Sequence, residues 1–79
     1  MGNLMICTLF KENKIVCEDV RITLDTTKKQ NAWKGFIYLP PGVELDDLLY
    51  EIKLNDGTSG TIIIMMVKER IAMFRGAEE

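Results

Sequence analysis

The stretch from Tyr50 to Val67, YEIKLNDGTSGTIIIMMV, constrains the fold more than any other part of the chain. Tyr50, Ile52 and Leu54 alternate with Glu51, Lys53 and Asn55, the period of a strand with one wet face. Asn55-Asp56-Gly57 then supplies turn chemistry. Asn and Asp tolerate positive φ and Gly prefers it, so this turn predicts a β-hairpin. The return arm, Ile62 to Val67, is six apolar residues without a break. A strand that does not alternate has no evident wet face, so both of its sides are expected to be covered.

The rest of the chain reads as further short strands. Leu4 to Phe10 is an apolar run ended by Lys11, Glu12 and Asn13, which predicts a strand and a polar turn. Lys14 to Leu24 predicts the partner strand of an antiparallel hairpin about Glu12-Asn13. Within it Ile15 and Cys17 share one face, and Val20, Ile22 and Leu24 follow the other phase. The slip near Glu18-Asp19 predicts a bulge or bend. This register would set Cys7 close to opposite Cys17. Asp25 to Ala32 is the least apolar stretch and predicts a loop, with Lys28 and Lys29 solvated. Trp33 to Leu39 predicts a third strand, in which Gly35 marks a bulge or the close approach of another backbone.

Pro40-Pro41-Gly42 ends that strand, since neither proline can donate to a ladder. Leu45, Leu48 and Leu49 have helical spacing, and Glu44, Asp46 and Asp47 would suit the positive end of a helix. One short helical turn, at about 44–49, is therefore expected before Tyr50. After the central hairpin, in which Gly60 could bulge just past the turn, Lys68-Glu69-Arg70 connects to a last strand over Ile71 to Phe74. Seventy-nine residues make a single domain, 1–79, with roughly 63 % of the unfolded surface buried. Strands at this spacing predict an all-β fold: a five- to six-stranded antiparallel meander curled into a small barrel or roll.

Composition argues against several functions. There is no histidine, which removes the commonest general base and metal ligand. Ser59 has no base within reach in sequence and reads as a turn residue. The carboxylates at 44–47 lack the spacing and turn glycine of a calcium loop. Cys7 and Cys17 form no CxxC motif and read as small buried hydrophobes rather than a redox pair. No catalytic, cofactor-binding or metal-binding residue is assigned, and an enzyme is not expected. With two cysteines and no evident leader or ~20-residue apolar span, the chain is expected in the cytoplasm.

A net charge of −2 offers no general attraction to nucleic acid. Trp33, Phe36 and Tyr38 have Lys34 as the only charge among them, so a core and rim role is expected for these rings. Arg75 is expected to pair with a carboxylate on a neighbouring strand rather than to hold an anionic ligand. The alternative keeps a single-stranded nucleic acid as partner, should Lys28, Lys29, Lys34, Lys68, Arg70 and Arg75 gather on one side.

The leading expectation is a protein-interaction or assembly module that associates with itself through Ile62, Ile64, Met65, Met66 and Val67. A barrel wall has one inside, so about three of the six apolar residues must face outward. Burying three such side chains would contribute roughly 5 to 8 kcal/mol before association costs. Methionines suit an adaptable contact surface. Ile64→Lys and Met66→Lys are expected to differ, one acting on the fold and the other on the assembly. An accessory subunit of a different protein is a further possibility.

Tyr50, Ile52 and Leu54, the Asp56-Gly57 turn, Gly60, Ile62 and Ile64, and the closing Phe74-Arg75-Gly76 together resemble a pattern in small uncharacterised bacterial β-barrel proteins. The resemblance covers the last third of the chain. It implies a bacterial barrel and carries no activity with it.

Overall fold

In a computed structural model, which describes residues 3–24, 29 and 32–77, six strands close into one antiparallel barrel. The strands are β1 (Asn3–Lys11), β2 (Lys14–Leu24), β3 (Lys34–Tyr38), β4 (Leu49–Leu54), β5 (Ser59–Lys68) and β6 (Ile71–Gly76). Their order around the wall is β1-β2-β3-β6-β5-β4, with β4 returning to β1. The chain is thus two three-stranded meanders joined along two seams, β3–β6 and β1–β4, rather than one continuous meander. Most of the loop expected over residues 25–32 lies outside the described residues.

Local chemistry sets the turns. Glu12 and Asn13 both have positive φ, 53° and 65°, the geometry of a two-residue hairpin loop whose twist matches its strands. Across the β4–β5 hairpin, the Gly57 N–H donates to the Leu54 carbonyl at 3.0 Å and the Leu54 N–H to the Thr58 carbonyl at 2.7 Å. Gly57, at φ 93°, is the left-handed residue that such a three-residue loop requires. Gly60 does not bulge; it pairs regularly with Ile52.

The β1–β2 register departs from a simple hairpin. An extra β2 residue enters between the Cys7–Val20 and Leu9–Cys17 pairs, where Asp19 has φ 56°. A second shift separates Leu9–Cys17 from Phe10–Ile15. The first is the bulge expected near Glu18-Asp19. Together they correct two readings. Cys7 stands opposite Val20, not Cys17, and Ile15 does not share a face with Cys17. Ile15 turns outward with Phe10 while Cys17 packs against the core.

The alternating arms behave as their period demands. Tyr50, Ile52 and Leu54 on β4 and Ala72 and Phe74 on β6 point inward. They meet Leu9, Ile22, Leu24, Ile37 and Ile62 in one core, and no buried side chain among the described residues is polar or charged. Gly35 is where a side chain cannot be placed: a Cβ there would overlap the Thr23 carbonyl oxygen across the β2–β3 pairing. The sequence signal of close backbone approach therefore has a specific partner.

No helical turn forms over 44–49, and no α-helix occurs among the described residues. The amides that would start one are taken by side-chain acceptors instead. The Tyr50 hydroxyl accepts from the Asp46 N–H at 3.0 Å and the Asp47 N–H at 3.1 Å, and Asp47 Oδ1 accepts from the Leu48 N–H at 2.7 Å. The segment runs instead as an irregular strap from β3 to β4 at one end of the barrel. Val43 and Leu45 pack against the core there, and the Leu39 N–H donates to the Arg70 carbonyl at 2.7 Å.

Candidate interaction surface

β5 explains what its unbroken apolar run is for. Ile62 and Ile64 point into the barrel and belong to the core, so two of the five expected contact residues are closed to any partner. The ladder then shifts, with Ile64 opposite Phe74 and Met66 opposite Met73, leaving Met65 as the extra residue. A bulge of this kind sets two residues against one, and Met65 and Met66 are each 55 % exposed. Val67 pairs with buried Ala72 and so returns to the inward phase, but it lies at the end of the barrel and stays exposed.

Pairing carries this outer face across two more strands. Met66 stands beside Met73, and Met73 beside Phe36. One row along, Lys68 stands beside Ile71, Ile71 beside Tyr38, and Tyr38 beside Arg21. In the other direction Arg75 lies beside Lys34 and Ile63. The result is a sheet of exposed apolar and aromatic side chains with Lys34 and Arg75 at one end and a mixed group of Lys68, Glu69, Arg21 and Asp19 at the other. Phe36, Tyr38, Met65 and Met73 line a hollow of about 770 Å3, with Lys34 and Arg75 on its rim and no carboxylate in its lining. A smaller hollow of about 390 Å3 adjoins it between Met66, Ile71 and Met73.

The rings separate as their surroundings require. Trp33 is buried, whereas Phe36 and Tyr38 stand on the outside of β3. Arg75 does not meet a carboxylate on an adjacent strand: its neighbours are Lys34 and Ile63, and neither cation forms a salt bridge among the described residues. Of the remaining cations, Lys68 and Arg70 stand at the β5–β6 turn, Lys29 is exposed and its carbonyl accepts from the Ala32 N–H just before β3, and Lys28 lies outside the described residues. Arg21, which carries no sequence signal for this face, stands beside Tyr38 through the β2–β3 pairing, outside the lining of the larger hollow.

Away from this surface, charged groups among the described residues meet at the strap, where Lys11, Asp46, Asp47 and the Tyr50 hydroxyl come together. Burial, and secondarily the nearby Cys17 thiol, pushes the Cys7 thiol up to about 12. Both cysteines are free. Lys11 Nζ lies 2.8 Å from Asp47 Oδ2 and 3.6 Å from Asp46 Oδ1. That hydrogen bond raises the Lys11 pKa, and the same bond, followed by the Leu48 N–H, lowers that of Asp47. Among the described residues no three His, Cys, Asp or Glu side chains gather as a metal site, and no helix is long and apolar enough to cross a membrane. Comparison with known proteins finds no matching family model, no matching curated protein and no matching solved structure, so what this surface does must be read from its own chemistry.

Proposed function

We propose that the chain is an assembly module, a binding protein rather than an enzyme, that associates with further copies of itself through the outer face of β3, β6 and β5. The observation that supports this is the continuity of Phe36, Tyr38, Met65, Met66, Ile71 and Met73 across three neighbouring strands, all exposed. Contiguous apolar surface of this kind is uncommon on a monomer and usually marks an interface. Three of the six are methionines, whose unbranched side chains adapt to a partner's shape. Two free cysteines suit a reducing compartment, and a cytoplasmic location in a bacterium is part of the proposal. The test is sedimentation velocity or multi-angle light scattering across a concentration series. Reversible growth in mass is expected. A strict monomer at high micromolar concentration would overturn the reading.

A second reading takes a single-stranded nucleic acid as the partner. It is favoured by one observation: Lys34, Arg75 and Arg21 stand on the rows that carry Phe36 and Tyr38 or beside them. Rings for stacking with cations for phosphates are the parts such a site needs. Assembly is preferred because Met65, Met66, Ile71 and Met73 give bases nothing to pair with. Binding of an oligonucleotide that weakens steeply with salt would support this second reading, and absence of binding at low salt would remove it.

A further inference from the structure

Lys34 and Arg75 are direct cross-strand neighbours on β3 and β6, and both stand on the outer face, in phase with Phe36 and Met73. Like charges set opposite one another destabilise a sheet, and neither cation pairs with an acid among the described residues. They are also the only charged groups in the lining of the larger hollow. Its apolar walls are Phe36, Tyr38, Met65 and Met73. Thr23 adds a hydroxyl whose oxygen already accepts the Phe36 N–H at 3.1 Å, which leaves its proton to donate. A volume of about 770 Å3 is that of a site for a small organic molecule, and an apolar lining with a few polar groups to one side is its usual make-up.

The distribution of charge selects the ligand. At the far end of the face Lys68 and Arg21 stand with Glu69 and Asp19. A polyanion laid along the face would therefore leave the cation pair and run into carboxylates, which costs free energy. Unbalanced positive charge lies at one end only. An arginine fork takes a carboxylate through two parallel N–H donors, and a lysine beside it adds a point charge. Methionines and rings then meet whatever the acid is attached to. We propose that the hollow binds a small amphipathic anion, a single carboxylate on an apolar body, with the acid between Lys34 and Arg75 and the body over Phe36, Met65 and Met73. Such a ligand lies on the face by which copies of the chain associate, so its binding opposes assembly. That coupling, unlike the binding itself, rests on the self-association proposed above.

Pyrenebutyrate, a fluorescent carboxylate on a large apolar ring system, and its neutral analogue pyrenebutanol test this by fluorescence titration of the dilute full chain. Pyrenebutyrate should bind at one per chain, and pyrenebutanol at least about tenfold more weakly, the effect of a charge-assisted hydrogen bond. Lys34→Gln with Arg75→Gln should abolish that preference with an unchanged circular dichroism spectrum, while Lys53→Gln, an exposed position on β4 outside the hollow, keeps it. Salt gives the same reading without a variant: raising the ionic strength should shrink the advantage of the carboxylate and leave the alcohol no weaker. Equal affinity for the two probes, a preference kept by the double variant or untouched by salt, or no binding of pyrenebutyrate overturns the proposal. Sedimentation of the concentrated wild type with saturating pyrenebutyrate reads the coupling, and a fall in mass is expected. Bound probe with the assembly intact places assembly on another face and overturns the coupling while the ligand site stands. A wild type that binds the probe and is monomeric at every concentration overturns self-association alone.

Discussion

Ile64 and Met66 sit two residues apart on β5, yet Ile64 lies opposite Phe74 and points into the barrel while Met66 lies opposite Met73 and points out. Alternation alone would put both on one face. The extra residue at Met65 reverses the phase. Ile64→Lys therefore buries an unpaired charge in the core, a cost that a small domain with ~5–15 kcal/mol of stability cannot absorb. Loss of the cooperative thermal transition is expected. Met66→Lys should keep the transition and reduce association, as read by melting and sedimentation on the same samples.

Gly35→Ala should be among the most damaging single-methyl changes in the chain. The added Cβ meets the Thr23 carbonyl oxygen, with Phe74 Cε2 at 3.2 Å beyond it. Backbone cannot rotate away as a side chain can, so a loss of about 3 kcal/mol is expected, the upper end of overpacking costs. Urea unfolding of the variant against the wild type measures it.

The Lys11–Asp47 contact gives stability a pH signature at both extremes. The depressed Asp47 pKa means that its contribution is present above the ordinary Asp value near ~3.9 and is lost as pH falls through the lowered folded value. The raised Lys11 pKa means that its contribution is present below the ordinary Lys value near ~10.4 and is lost as pH rises through the raised one. Both groups are solvated, so the effect is small. The difference in urea midpoint between the wild type and Lys11→Met should be present at neutral pH and disappear at either end.

Cys7 and Cys17 should react at different rates. Cys7 is buried with its thiol held up to about 12, so almost no thiolate exists near neutral pH. Cys17 is partly exposed. Iodoacetamide should label Cys17 in the native protein and reach Cys7 only on unfolding, with mass spectrometry assigning the site.

The fold was legible where local chemistry and tertiary context agree. Alternation from Tyr50 to Leu54, the Asp56-Gly57 turn and the phase slip at Glu18-Asp19 are short-range signals, and each marks a feature of the barrel. The strap at 44–49 does not take the helical turn that its leucine spacing allows, because the Tyr50 hydroxyl takes the Asp46 and Asp47 amides, a contact with no sequence signature. The candidate surface was half legible. Apolar excess on β5 announced an outer patch, but Ile62 and Ile64 could not be told from Met65 and Met66 without the bulge. The rim was legible in part: Lys34 shares its strand with Phe36 and Tyr38, whereas Arg75 and Arg21 reach that face only through the β3–β6 and β2–β3 pairings.

The two seams of the barrel bear on how the chain is made. Cys7 pairs with Leu54 on one seam and Lys34 with Arg75 on the other, so β3 lacks its second neighbour until the final strand exists. A ribosome synthesising this protein therefore cannot deliver a complete wall until β6 has emerged. Up to that moment the emerging polypeptide presents bare sheet edges beside a greasy interior, the state in which nascent chains recruit chaperones or aggregate.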